Sequence, residues 1–119
     1  MGFFRVNIYL MKRKAVFFQA LRGDYPVKKF IEKQDPGTFA KIIHTIELLE
    51  TYGPYLRLPY SKKIKGKLYE LRIPGKTSAR IFYVLYNNNY LLLHAFKKKG
   101  QKTPQRELKT ALDRLKAII

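Results

Sequence analysis

The chain has 119 residues, with 25 lysines and arginines against 8 acids, a formal charge of +17, and no cysteine. That length suits a single domain, residues 1–119, and the missing cysteines exclude a disulfide framework, a thiolate metal site and a cysteine nucleophile. No apolar run reaches membrane-spanning length and the opening MGFFRVNIYL lacks the pattern of a signal peptide, so a cytoplasmic protein without a membrane partner is expected. The charge excess favours polyanions and makes binding salt-sensitive, but it says nothing by itself about catalysis.

Residues 3–10 alternate loosely through Phe3, Val6, Ile8 and Leu10, and a second apolar run, AVFFQAL, follows Lys12, Arg13 and Lys14. The second run is expected to hold the first strand, at 15–20, because it leads into RGDYP, a turn-and-cap sequence with Asp24 ahead of Pro26. Residues 1–12 then form an extra strand or an N-terminal extension. Val27, Phe30 and Ile31 have the spacing of a short helix, which the run from Pro26 to Lys33 accommodates. Asp35 reads as the N-cap of a longer helix with Pro36 at its first position, and Phe39, Ile42, Ile43, Ile46 and Leu49 form its apolar face up to Gly53 and Pro54. His44 on that helix reads as a solvated residue; no second histidine or carboxylate stands at ligand spacing, and no metal or cofactor is assigned.

The segment RLPYSKKIKGK, residues 57–67, carries five positive charges and no acid. It is either a solvated loop or an arm whose Lys62, Lys63, Lys65 and Lys67 contact phosphates, and both readings stand. After it, LYELRI, RIFYVLY and YLLLHAF, joined by PGKTSA and by Asn87, Asn88 and Asn89, have the pattern of an antiparallel meander. Side-chain alternation puts Glu70 and Arg72 on one strand face, Arg80 opens the next strand, and Lys97, Lys98 and Lys99 follow the third, with Lys102 beyond. If the Asn loop simply joins paired strands, Phe82 lies near His94 and Arg80 near Phe96. Tyr69, Phe82 and Tyr83 read as core residues rather than base-stacking platforms. Thr103 is an N-cap candidate before Pro104, and Leu108, Ala111, Leu112, Leu115 and Ile118 predict a final amphipathic helix. The fold class is α+β in the order β-α-α-β-β-β-α, a small, mostly antiparallel sheet with two helices on one face and the last helix beside or across it. The other face is expected to be left for function.

In this order LYELRI, RIFYVLY and HAFKKKGQKTP followed by a helix resemble the RelE/HigB toxin superfamily, in its HigB-like, phage-derived branch. YPVKKFIEK, LLETYGPYLRLP and KKIKGKLYELR follow the same pattern, so the resemblance spans about residues 15–118. It implies the toxin of a type II toxin-antitoxin pair: a ribosome-dependent mRNA endonuclease, or mRNA interferase, that cuts codons in the ribosomal A site and inhibits translation. Its implied partners are the ribosome with its mRNA and a helix-turn-helix, HigA-like antitoxin in a hetero-oligomer.

Metal-free RNA cleavage needs removal of the 2′-hydroxyl proton, stabilisation of a dianionic phosphorane and help for the leaving 5′ oxygen. Arg72 and Arg80 are the first candidates for transition-state stabilisation, because a guanidinium fork binds two phosphoryl oxygens in fixed geometry. Lys97 and Lys98 would add charge or protonate the leaving oxygen, and Lys99 and Lys102 join Lys62, Lys63, Lys65 and Lys67 as RNA-binding candidates. Glu70 is either the base or an ordinary cross-strand ion-pair partner of Arg72 or Arg80. His94 is either a proton-transfer group or a half-buried sheet residue with a local partner. Some superfamily members use a tyrosine near the C-terminus as base, and this chain has none after Tyr90. The competing readings are a non-enzymatic, ParE-like gyrase inhibitor and a passive basic RNA- or ribosome-binding protein.

Overall fold

The structure, a computed structural model, describes residues 13–76 and 78–118. Five strands and three helices follow one another as β1 (Ala15–Phe17), α1 (Pro26–Glu32), α2 (Pro36–Tyr52), a 3-10 turn (Gly53–Tyr55), β2 (Ser61–Lys65), β3 (Leu68–Arg72), β4 (Ala79–Tyr86), β5 (Asn89–Lys97) and α3 (Gln105–Ile118). The strands form one sheet in the order β1-β5-β4-β3-β2, in which β1 runs parallel to β5 and the other neighbours are antiparallel. The α+β class and the meander agree with the sequence, and the segment 3–10 lies outside the described residues.

Two of the expected helix starts behave differently. Asp35 caps α2 as its side chain accepts the Thr38 N–H at 3.2 Å. Asp24 does not cap α1: Tyr25 occupies the cap position, and the Asp24 carboxylate instead pairs with Arg22 at 2.8 Å and Lys29 at 3.7 Å. The buried face of α2 is also rotated from the expected one. Thr38, Ile42, Thr45, Ile46 and Leu49 are buried, whereas Phe39 and Ile43 lie at the surface. Thr45 tolerates burial because its hydroxyl donates to the Lys41 carbonyl at 2.7 Å, which satisfies the group inside the helix.

Residues 61–65, in the segment read as loop or arm, form a fifth strand, and the segment's lone apolar residue between Ser61 and Lys67, Ile64, is partly buried. The alternation was obscured because β2 is a sheet edge, where lysines are tolerated and protect the unpaired edge. Its anchor is polar: Ser61 is buried, and its hydroxyl meets the Tyr83 hydroxyl at 2.6 Å. At the other hairpin, Asn87 and Asn88 take φ of 50° and 63°, as a two-residue turn of the primed type demands and as asparagine tolerates. That turn alone would set the register one residue off. A bulge at Leu93 corrects it, so Phe82 does face His94 and Arg80 does face Phe96.

Both faces of the sheet are covered, which overturns the expectation of one face left free. Val27 and Ile31 of α1 and Ile42, Ile46 and Leu49 of α2 pack on Leu71, Ile73, Ile81 and Leu92. On the opposite face, Leu108, Ala111, Leu112 and Leu115 of α3 pack with Phe18, Leu68, Phe82, Val84 and Leu93. Each fully buried aliphatic side chain in these layers contributes about 1.5–3 kcal/mol. On this face α3 lies mainly along β5, and at the ends of β3 and β4 Arg72 and Arg80 line an open cleft.

Candidate active site at the β3 and β4 corner

The site starts from two adjacent antiparallel strands whose side chains alternate. Glu70 and Arg72 of β3 point to the α3 face, and the register sets Arg72 directly opposite Arg80 of β4. Two like charges opposite each other repel. Glu70 offsets this from beneath: its Oε1 accepts from Arg72 Nε at 3.0 Å and lies 3.9 Å from Arg80 Nε. Its other oxygen, Oε2, accepts from the Thr103 hydroxyl at 3.3 Å. With 1% of its surface exposed, Glu70 is enclosed by these partners.

Arg80 is the more buried of the two arginines, with 15% of its side chain exposed against 27% for Arg72. Burial pushes its pKa below the ordinary arginine value, Glu70 pulls it back up and Arg72 pushes it down again, and the guanidinium remains charged in water at any ordinary pH. Its Nη1 donates to the Ala79 carbonyl at 3.2 Å, while its buried Nε has no hydrogen-bond partner among the described residues. One carboxylate thus faces two guanidinium groups, and the cluster is left with a net positive charge.

Both arginines line a cleft of about 310 Å³, closed on its other sides by Pro59, Tyr60, Pro74, Gly75 and Ser78. Ser78 holds φ at 49°, a left-handed conformation costly for a residue with a side chain. It is kept there by its N–H donating to the Gly75 carbonyl at 3.3 Å and by its own carbonyl accepting the Lys98 N–H at 3.0 Å. Strained backbone thus shapes the cleft wall beside the two guanidinium groups.

His94 shares this sheet face but belongs to a different cluster. Its Nε2 lies 2.7 Å from Glu107 Oε1, and its Nδ1 lies 3.3 Å from Arg114 Nη1, which also donates to the Leu93 carbonyl at 2.8 Å. Since arginine can only donate, Nδ1 accepts and the proton sits on Nε2, donated to Glu107. Burial lowers the His94 pKa, the Glu107 hydrogen bond opposes that, and the Arg114 charge reinforces it, so the ring is neutral at pH 7. Both ring nitrogens are occupied, and Phe96 stacks on the ring with centroids 5.7 Å apart.

The lysines are dispersed. Lys97 is in register with Ala79, on the sheet face of Ile81 and Ala95, opposite to the arginines. Lys98 follows β5, its backbone bonded to Ser78 at the cleft wall, and Lys99 and Lys102 are exposed on the loop before α3. Lys62 pairs with Glu70 across β2 and β3, on the arginine face; Lys63 pairs with Tyr69, on the other. Lys67 lies at the hairpin between these strands. His44 is exposed, and no group of three or more candidate metal ligands occurs among the described residues.

Thr103, Ser78, Glu107 and Arg114 were not singled out for the site by the sequence. Thr103 carries a helix-cap signature, yet α3 begins at Gln105 and the Thr103 hydroxyl is directed to Glu70 instead. Glu107 and Arg114 sit seven apart on α3, two turns of one helix face, a spacing that becomes meaningful only when His94 lies beneath them. Among known proteins, residues 29–116 match the model of a family described as phage derived protein Gp49-like (DUF891). No curated protein matches the chain.

Proposed function

Since this chain belongs to the Gp49-like family of phage-derived proteins, a toxin-type family of RelE/HigB character whose members imply an antitoxin partner, we propose that it is a ribosome-dependent mRNA endonuclease. The observation that carries the reading is the pair Arg72 and Arg80, in register on adjacent strands, sharing one buried carboxylate and lining a cleft of about 310 Å³. In this reading the scissile phosphate enters that cleft in the ribosomal A site. The 2′-hydroxyl attacks phosphorus and gives its proton to water, the two guanidinium groups take up the charge of the phosphorane, and the P–O5′ bond breaks as the 5′ oxygen takes a proton from water. Electrostatic stabilisation by preorganised donors of this kind is worth about 2.7–4 kcal/mol per donor.

Glu70 is better suited to positioning than to proton removal, since both of its oxygens are engaged and it is 1% exposed. His94 likewise has no free nitrogen. The reaction then rests mainly on charge and orientation, with Lys98, Lys99, Lys102 and Lys62 supplying further contacts to the RNA backbone. A HigA-like antitoxin would hold the protein inactive in a hetero-oligomer.

The test is 5′-end mapping of a defined mRNA incubated with the protein, with and without programmed ribosomes and with and without EDTA. The expected result is cuts within A-site codons, only with ribosomes, unaffected by EDTA, and reduced about 10²–10³-fold by Arg80→Ala while ribosome binding persists. Absence of cuts under every condition would overturn the reading in favour of a ParE-like gyrase inhibitor or a passive binder, which a gyrase supercoiling assay separates.

A further inference from the structure

On the sheet face opposite the arginines, the helical layer stops early. α2 ends at Tyr52, and Gly53 turns the chain away with φ of +52°, where a Cβ would come within 2.5 Å of the Tyr90 hydroxyl. Past that turn a groove of about 480 Å³ separates the segment around Leu56 and Arg57 from Tyr69, Tyr83, Leu85 and Tyr90 on the sheet. Leu85 is 50% exposed and Tyr69 37%, side by side on one rigid surface rather than scattered singly. The tyrosines brace one another: Tyr69 stacks on Tyr83 at 5.6 Å, and Tyr83 meets Tyr90 edge-on at 5.9 Å. The charged residues at the groove are both basic, Arg57 and Lys67.

We propose that this groove docks a short amphipathic helix of a partner protein, apolar on the face it buries and acidic along its flanks. Three observations select that occupant. The floor is made by β3, β4 and β5, each hydrogen-bonded to a strand on both sides, so no strand edge is offered. An incoming segment must therefore satisfy its own backbone groups, which a helix does and an added strand would not. Arg57 and Lys67, on a chain of formal charge +17, attract carboxylates and repel a second copy of the same chain. The rings are already stacked on each other, and the arginine cleft lies on the other side of the sheet, so stacking nucleobases would find little ring face and no phosphate cluster beside it. The inference goes beyond the nuclease reading and does not depend on it. Its structural consequence is that the partner and a phosphate in the arginine cleft occupy opposite faces and bind together.

The experiment titrates the isotope-labelled full chain with a peptide of about 16 residues, leucine at i, i+3, i+4 and i+7 positions and glutamate elsewhere, and with its twin carrying lysine for every glutamate. The expected result is saturable shifts of Leu85 and Tyr69 signals with the glutamate peptide alone, unchanged by inorganic phosphate held in the arginine cleft. Leu85→Glu, at a half-exposed position, should weaken binding by about tenfold or more with the chain still folded by circular dichroism. The double variant Arg57→Glu and Lys67→Glu should transfer the preference to the lysine peptide. Equal binding of the two peptides, or shifts centred on Arg72 and Arg80, would overturn the proposal. So would contacts between residues 3–10 and Leu85 in the free chain, a dimer abolished by Leu85→Glu, or Leu85 shifts caused by an oligouridine, which would assign the groove to the chain's own N-terminus, a second copy or nucleic acid. None of these readouts uses RNA cleavage, so their failure leaves the nuclease reading where it stands.

Discussion

Two clusters on one sheet face use the same residue types to different ends. At Glu70, one carboxylate serves two guanidinium groups, Arg72 at 3.0 Å and Arg80 at 3.9 Å, and positive charge is left over beside a cleft. At His94, Glu107 and Arg114 take one ring nitrogen each, at 2.7 and 3.3 Å, and Glu107 also pairs with the exposed Arg106 at 3.7 Å. That cluster fastens α3 to the sheet, and its spare charge sits on Arg106 in solvent rather than beside a cleft. The Glu70 cluster instead holds its two guanidinium groups along the wall of a cleft.

The largest break in this comparison comes from Glu70→Ala, which leaves two guanidinium groups in register with no charge between them. Removing one partner of a buried ion pair costs about 3–5 kcal/mol, read by urea unfolding. Glu70→Gln keeps the shape and the Thr103 contact and should cost less; an equal loss would mean that volume, not charge, holds the arginines. A smaller effect is expected at the His94 cluster. Arg114→Leu removes the donor to His94 and to the Leu93 carbonyl and should cost about 1–3 kcal/mol, with cleavage retained by the protein that remains folded. Cleavage lost as deeply as in Arg80→Ala would show that the two clusters act as one.

Acid sharpens the contrast further. Burial holds the His94 pKa below its ordinary 6.5, so the unfolded chain takes up the proton first as the pH falls. The stability contributed by neutral His94 is full above about pH 6.5 and is lost as the pH drops through the folded value, and His94→Gln should flatten that slope in urea titrations at successive pH values. The smallest effect is expected from Lys97→Ala. Facing away from the arginines, Lys97 should change cleavage by a few-fold at most, as a screened surface charge does, whereas loss comparable to Arg72→Ala would contradict its placement outside the cluster.

Much of the fold was legible along the chain because the signals were local. The Asp35 and Pro36 start of α2, the apolar spacing of α3 and the three long strands each express one period or one cap. The β2 edge strand escaped because its lysines carry no alternation of their own; its pairing with β3 supplies the order. Of the candidate site, Glu70, Arg72 and Arg80 could be grouped from strand alternation and a short connection. Lys97 stands at the end of the third meander strand, at the same end of the sheet as Arg80, but the pleat sends it to the other side.

The sequence by itself determined the α+β class, the order of the meander and which strand positions carry charge, because 2.0- and 3.6-residue periods are written into the side chains. Only the tertiary structure decided that α3 crosses the second face, that Glu70 is enclosed under two arginines and Thr103, that His94 is bound at both nitrogens, and that α2 ends short of the tyrosine groove. These are relations between segments dozens of residues apart. Whether a charged group faces a partner, a cavity or water depends on what else packs within a few ångströms of it, and no local pattern encodes that.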